Sequence, residues 1–225
     1  MSLILSIETA TAACSVALHH SGKQVAHTTL LMDRSHSEYL MPIIEDLLKN
    51  SNFKRRSLAA VAISGGPGSF TGLRIGTAVA KGLCYGLDIP LISVGTLEAM
   101  AYGICPFIRS LSMDTLLCPA IDARRNAIYT LIVDASGQIK RSAHVALLDS
   151  KLYRDGLPGG PLLFFGDGVP KTKLFFMGNK NIQFIEQVVP SAIQIGYLAF
   201  AKFQKQLWED LASYTPCYLS QFQDK

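Results

Sequence analysis

Three places in this 225-residue chain bring together residue types that could hold or transform a ligand. The densest is Ser64-Gly65-Gly66-Pro67-Gly68-Ser69-Phe70-Thr71-Gly72-Leu73-Arg74-Ile75-Gly76. An apolar run over 58–63 leads into it and a helical pattern over 73–87 leads out, so it reads as a glycine-rich strand-to-helix turn. Glycines permit positive φ and close approach of other groups, Pro67 stiffens the turn, and Ser69 or Thr71 can cap the helix. A helix start of this kind presents free N–H groups to an anion. The spacing is not a P-loop, because no Gly-Lys-Ser/Thr follows four residues after a glycine. Nor is it the dinucleotide fingerprint, since Thr71 stands where the third glycine would be. The chemistry leaves two readings open, a tight ligand-free turn and an anion site.

The other two places are acids at strand ends. An apolar strand over 3–7 ends in Glu8-Thr9-Ala10-Thr11, a second follows over 14–18, and a third runs over 24–31 after Ser21-Gly22. Strand, turn and strand with an acid at the tip is the layout of a phosphate-binding hairpin. A strand over 115–121 likewise ends in Asp122 with Ala123-Arg124-Arg125-Asn126 as its tip, and 127–133 returns. Ala135-Ser136-Gly137 then turns the chain into a third strand that runs to about residue 147. A strand over 161–165 ends in Gly166-Asp167-Gly168, echoing the strand that ends at Gly65. This internal repeat predicts an α/β protein of two βββαβα-like halves, 1–105 and 106–225, facing across a cleft. The second half is irregular, with one long helix expected over 191–208.

Absent chemistry narrows the classes. There is no Gly-x-Ser-x-Gly elbow and no His-Glu-x-x-His, and the adjacent pair His19-His20 falls at a hairpin turn, where neighbouring side chains point to opposite faces. Asp122 is a candidate base for phosphoryl transfer, but no glycine pair marks the nucleoside side of a cleft. Hydrophobic residues make up 49% and charged ones 17%, which predicts a globular chain with an ample core. The net charge of +4 is compatible with a nucleic-acid partner without indicating one. No apolar run approaches the roughly 18 residues that cross a bilayer, and the start lacks the basic region of a signal peptide. Five scattered cysteines without Cys-x-x-Cys spacing argue against zinc and disulfides and suit a reducing, cytoplasmic setting.

The elements that would position these residues include two helices. Ser35-His36-Ser37-Glu38 has capping-box spacing, and Tyr39, Leu40, Ile43, Ile44, Leu47 and Leu48 then form one apolar stripe, with Pro42 past the first turn. The helix after the glycine-rich turn is small on two faces, Gly72, Gly76 and Ala80 on one and Ala78, Gly82 and Gly86 on the other. Interior glycine costs about 1 kcal/mol relative to alanine. The glycines therefore predict close approach of another backbone, either within this chain or from another subunit.

The order Gly66-Pro67-Gly68-Ser69-Phe70-Thr71-Gly72-Leu73-Arg74 closely resembles the hallmark of the TsaB (YeaZ) family. Ile121-Asp122-Ala123-Arg124 and Pro216-Cys217-Tyr218-Leu219 resemble that family too, although Ser220 stands where it commonly has arginine. The resemblance implies the fold of the actin, sugar-kinase and heat-shock-ATPase superfamily (ribonuclease H-like), with a degenerate cleft. It implies a non-catalytic subunit of the assembly that forms N6-threonylcarbamoyladenosine at position 37 of ANN-decoding tRNAs. The partners implied are a catalytic TsaD-type paralogue, a TsaE-type ATPase subunit and, through the complex, tRNA. ATP and a metal would be used by the wider complex and not held by this subunit.

In that superfamily an aspartate opens the first phosphate loop and a glycine follows two residues later. Here Glu8 and Ala10 hold those positions, so Glu8, Thr9, Thr11, Asp122 and Arg124 would line at most a vestigial nucleotide cleft. The catalytic paralogue holds a metal with two histidines four apart on a helix. His36 followed by Leu40 implies no metal here. The family pairs through its two helices, which puts Tyr39, Leu40, Ile43, Leu47, Gly72, Leu73, Gly76, Ala80 and Leu83 at a partner interface, with a weak homodimer in isolation. The motif residues Gly66, Pro67, Gly68, Ser69, Phe70, Thr71 and Arg74 would shape the joint beside it. A different reading of the same fold is a free-standing sugar- or acid-kinase-like phosphotransferase.

Overall fold

Apolar runs in the first hundred residues become the five strands of one sheet. The computed structural model describes residues 2–32, 36–109, 113–148, 157 and 159–219. In it β1 (Leu3–Glu8), β2 (Ala13–His20), β3 (Lys23–Leu31), β4 (Leu58–Ser64) and β5 (Leu91–Val94) lie in the order β3-β2-β1-β4-β5. β1 runs antiparallel to β2 but parallel to β4, and β4 parallel to β5. Parallel neighbours need a crossover, which the helices α1 (His36–Asn50) and α2 (Phe70–Leu87) provide. β1 and β4 lie inside the sheet and are buried almost throughout, as their largely apolar sequences require. The edge strand β3 is mostly exposed.

The second sheet comprises β6 (Leu116–Asp122), β7 (Ala127–Val133), β8 (Ile139–Leu147), β9 (Leu162–Phe165) and β10 (Ile182–Ile185). Its order is β10-β9-β6-β7-β8, the first sheet's order read from the other end. The acid-ended β1 and β6 are therefore counterparts, as are the glycine-followed β4 and β9, and the repeat expected from sequence is a repeat of topology.

Contacts divide the chain into Met1–Ala99 with Pro190–Cys217, and Met100–Val189 with Tyr218 and Leu219. The chain passes from one unit to the other within α3 (Thr96–Arg109). On one face of the first sheet Leu5, Ile7, Val16 and Leu18 pack with Leu40 and Ile44 of α1 and Ala80 and Cys84 of α2. On the other face Ile4, Ala60, Ala62 and Ile92 pack with Ile195 and Ala199 of α5 (Ala192–Gln204). A linear division at residue 105 places this helix with the second half, but it joins the first unit because that sheet has a second apolar face to cover. The second unit has its own core around Ile128, Ile132, Phe164 and Ile182. Val169 and Phe176 join it from α4 (Val169–Phe175) and the residue after it, an element too short for the sequence pattern to mark.

After α5 the chain returns along the first sheet's edge. The Glu209 N–H donates to the Leu91 carbonyl at 2.9 Å, and the Cys217 N–H to the Gly65 carbonyl at 2.7 Å. Lys81 of α2 donates to the carbonyls of Ala212 (3.1 Å) and Tyr214 (3.2 Å), and the Tyr214 hydroxyl lies 3.0 Å from Ser93 Oγ. This strap fastens the glycine-rich turn from behind.

Candidate functional site

The turn after β4 is built by close approach. The Gly65 N–H continues the ladder to the Val94 carbonyl (2.8 Å), and the Gly66 carbonyl accepts from the Thr96 N–H (2.9 Å). Gly66 has φ +96°, the left-handed region that favours glycine, and its peptide bond to Pro67 is cis. A side chain at Gly66 would also meet the Cys217 carbonyl of the strap. Ser69 caps α2, its Oγ accepting from the Gly72 N–H at 3.3 Å.

The following glycines face the tip of the first hairpin. A Cβ on Gly68 would collide with the Ala10 carbonyl, one on Gly72 with the Thr9 carbonyl, and one on Gly76 with Thr9 Oγ1. The Ser69 N–H donates to the Ala10 carbonyl at 2.6 Å. None of Gly68, Gly72 and Gly76 has positive φ, so the need for glycine there is space alone.

Glu8 is fully buried at the end of β1. Its Oε1 accepts the Ala10 N–H at 2.6 Å, and the Thr9 N–H lies 3.4 Å from Ser64 Oγ. Burial pushes the Glu8 carboxyl from its ordinary value of 4.5 up to about 7, against the pull of the Ala10 N–H, Ser64 and the Thr9 N–H. In an open phosphate loop the tip N–H groups await a ligand. Here Glu8 takes the Ala10 N–H and α2 packs on the tip. Of the two readings the sequence left open, the geometry favours the packed turn.

The second hairpin is closed by charge. Asp122 Oδ1 accepts the Arg124 N–H (2.6 Å) and Lys171 Nζ (2.5 Å), while the Asp122 N–H donates to Asp167 Oδ1 (3.0 Å). Lys171 also donates to the Arg125 carbonyl at 2.7 Å. Arg124 and Arg125 both have left-handed φ, at 63° and 45°, and both are exposed. Asp122 is thus engaged in shaping a turn. Lys171 has no sequence signal that would have paired it with Asp122.

The helix residues expected at an interface divide sharply. Tyr39 is exposed, and Ile43 and Leu83 are half-buried. Leu40, Leu47, Gly72, Leu73, Gly76 and Ala80 are buried inside their own unit. The small face of Gly72 and Gly76 is the inward one, filled by Thr9. The face left open carries Ala78, Gly82 and Gly86, beside Tyr85 at 84% exposure, and among the described residues nothing lies within 4 Å of a Cβ placed on Gly82 or Gly86. Phe70 at the start of α2 is exposed, with the Arg74 guanidinium 3.9 Å over its ring.

Thr9 and Thr11 are buried at the first tip, whereas Asp122 and Arg124 belong to the other unit. His36 is buried, and among the described residues no three His, Cys, Asp or Glu side chains cluster to hold a metal. Ser35 and Ser220 lie outside the described residues. His19 and His20 end β2 and do not form the turn itself: His19 is buried against Tyr197, and His20, partly buried, lies against Phe53. No described helix is long and apolar enough to cross a membrane.

Two sheets of one strand order, each opening on an acid-ended strand, define an α/β protein of the actin-like two-half type. The chain belongs to the family described as TsaD: tRNA N6-adenosine threonylcarbamoyltransferase, whose model matches residues 29–223. Within it the resemblance is to TsaB. The tRNA threonylcarbamoyladenosine biosynthesis protein TsaB of Escherichia coli is 42% identical over 126 residues, 56% of this chain and 52% of that one. The TsaB protein of Haemophilus influenzae is 39% identical over 126 residues, 56% of this chain and 51% of that one. The chain thus spans about half the length of the curated relatives it matches. The solved structure of YeaZ from Pseudomonas aeruginosa superposes with a TM-score of 0.79 at 26% identity, covering 97% of this chain and 100% of that one.

Proposed function

We propose that this chain is a TsaB-type subunit that binds and supports a catalytic TsaD-type paralogue in forming N6-threonylcarbamoyladenosine at position 37 of ANN-decoding tRNAs. The observation that carries the reading is the seat of Gly68 and Gly72 on the hairpin tip, where a kinase-like relative would receive phosphate. With Ala10 engaged by Glu8 and Ser69, and Asp122 by Lys171, neither hairpin is arranged for phosphoryl transfer. The chain performs no chemistry alone. A TsaE-type ATPase and tRNA complete the assembly, which uses ATP and a metal elsewhere.

Within residues 1–105 the partner-binding surface is the open face of α2, Ala78, Gly82, Tyr85 and Gly86, with Tyr39 of α1. Small residues let a second helix approach closely. The same face supports a weak homodimer that exchanges for the tighter heterodimer, in a cytoplasmic setting.

The kinase-like reading separates cleanly by calorimetry. Titrating ATP with magnesium into the isolated chain should give no saturable heat. A dissociation constant of about 1 mM or tighter would favour a phosphotransferase.

A further inference from the structure

Helix α4 is apolar on two sides. Val169 and Thr172, with Phe176 just beyond the helix, turn into the second core, whereas Leu174 and Met177 face outward at 71% and 78% exposure. Between that outer face and β10 lies a groove of about 780 Å³, lined also by Pro170 and Phe184. Lys173 and Glu186 pair across it at 2.8 Å. Lys180, which also lines it, has no ion pair among the described residues.

Among the described residues β10 is the last strand of its sheet, with β9 its one strand neighbour. The Asn181 carbonyl accepts from the Leu162 N–H in this parallel register, so the backbone of Phe184 is turned away from β9. An unpaired strand edge is thus set beside an apolar groove with one uncompensated cation.

We propose that this groove docks an extended apolar segment of a protein partner that carries a carboxylate, added as a sixth strand along β10. An added strand gains affinity from main-chain bonds and sends alternate side chains into the groove over Leu174 and Met177. Lys180 sets the charge of the segment. A small molecule fits less well, because a ligand pocket encloses most of its ligand and this groove leaves its Leu174 and Met177 wall largely open. Methionine and aromatic side chains are characteristic of such contact surfaces.

The test is selection of random linear peptides displayed on phage against the immobilised full chain, followed by fluorescence anisotropy of a selected peptide. Selected sequences should alternate large apolar with polar residues and include Asp or Glu. Met177→Asp should weaken binding about tenfold or more. Lys180→Glu should weaken it too and restore binding to a peptide whose acid is changed to lysine. Both side chains are exposed, so circular dichroism should be unchanged in either variant. Absence of enrichment over a blank support, peptides lacking the acid or the alternation, or binding indifferent to Met177→Asp would overturn the proposal. So would laurate binding sensitive to Met177→Asp without any selected peptide, which assigns the groove to a small amphiphile. A homodimer that Met177→Asp dissociates assigns it to a second copy and overturns it equally.

Discussion

Gly72→Val should unfold or nearly unfold the first unit, whereas Gly82→Ala, ten residues along the same helix, should stabilise it. A Cβ at position 72 collides with the backbone carbonyl of Thr9, which cannot rotate away as a side chain could. Thr9 and Ala10 are in turn held by Ser64, Glu8 and Ser69. Overpacking a well-filled site costs about 1–3 kcal/mol, and more when rigid backbone must move. We expect a loss of about 3 kcal/mol or more, which a domain of marginal stability barely survives. Among the described residues nothing lies within 4 Å of a Cβ placed on Gly82, so alanine there should gain about 1 kcal/mol from helix propensity alone. Urea unfolding followed by circular dichroism reads both, and equal midpoints for the two variants would refute the packed joint.

The second large effect is a pH dependence centred on Glu8. Its folded value of about 7 lies above the ordinary 4.5, so the folded state keeps a proton that the unfolded state releases. Below 4.5 both states hold the proton and stability is full. Between 4.5 and 7 stability falls as pH rises, and above 7 the loss is complete. The size of the loss is about 3 kcal/mol, taking about 1.4 kcal/mol for each pH unit between the two values. Glu8→Gln keeps an acceptor for the Ala10 N–H without a charge to bury. It should match the parent near pH 4 and exceed it by up to about 3 kcal/mol at pH 8. Unfolding free energies of parent and variant, measured in parallel across that range, give the difference directly. A difference that stays flat with pH would show that Glu8 is not the group responsible.

Much of this was legible in the chain. Apolar runs ending in Glu8 and Asp122, and others followed by Gly65 and Gly166, marked paired halves, and both sheets have one strand order. The run of Ser69 and Gly72 marked the capped start of α2. What could not be read was decided by contacts distant in sequence. The small residues of α2 form two equivalent faces on paper, and only the approach of Thr9 settles that Gly76 faces inward and Gly82 outward. Helix α5 carries no mark of its sheet, and its place follows from an apolar face of Ile4, Ala60 and Ile92 that needed cover. The glycines of the turn could serve either positive φ or close approach, and at Gly68 the constraint is the approach of the Ala10 carbonyl. The engagement of Asp122 by Lys171 links residues on separate elements, which no local pattern encodes.

The most direct measurement is sedimentation velocity of this chain with the TsaD-type paralogue of the same source, using the parent and Gly82→Trp. Position 82 is exposed and open, so the variant should keep its circular dichroism while presenting an indole on the face proposed to receive the partner. The account predicts a heterodimer with the parent and its loss with Gly82→Trp, together with no threonylcarbamoylation of tRNA by this chain alone. Failure of the parent to bind the paralogue, or tRNA modification by the isolated chain, would contradict it.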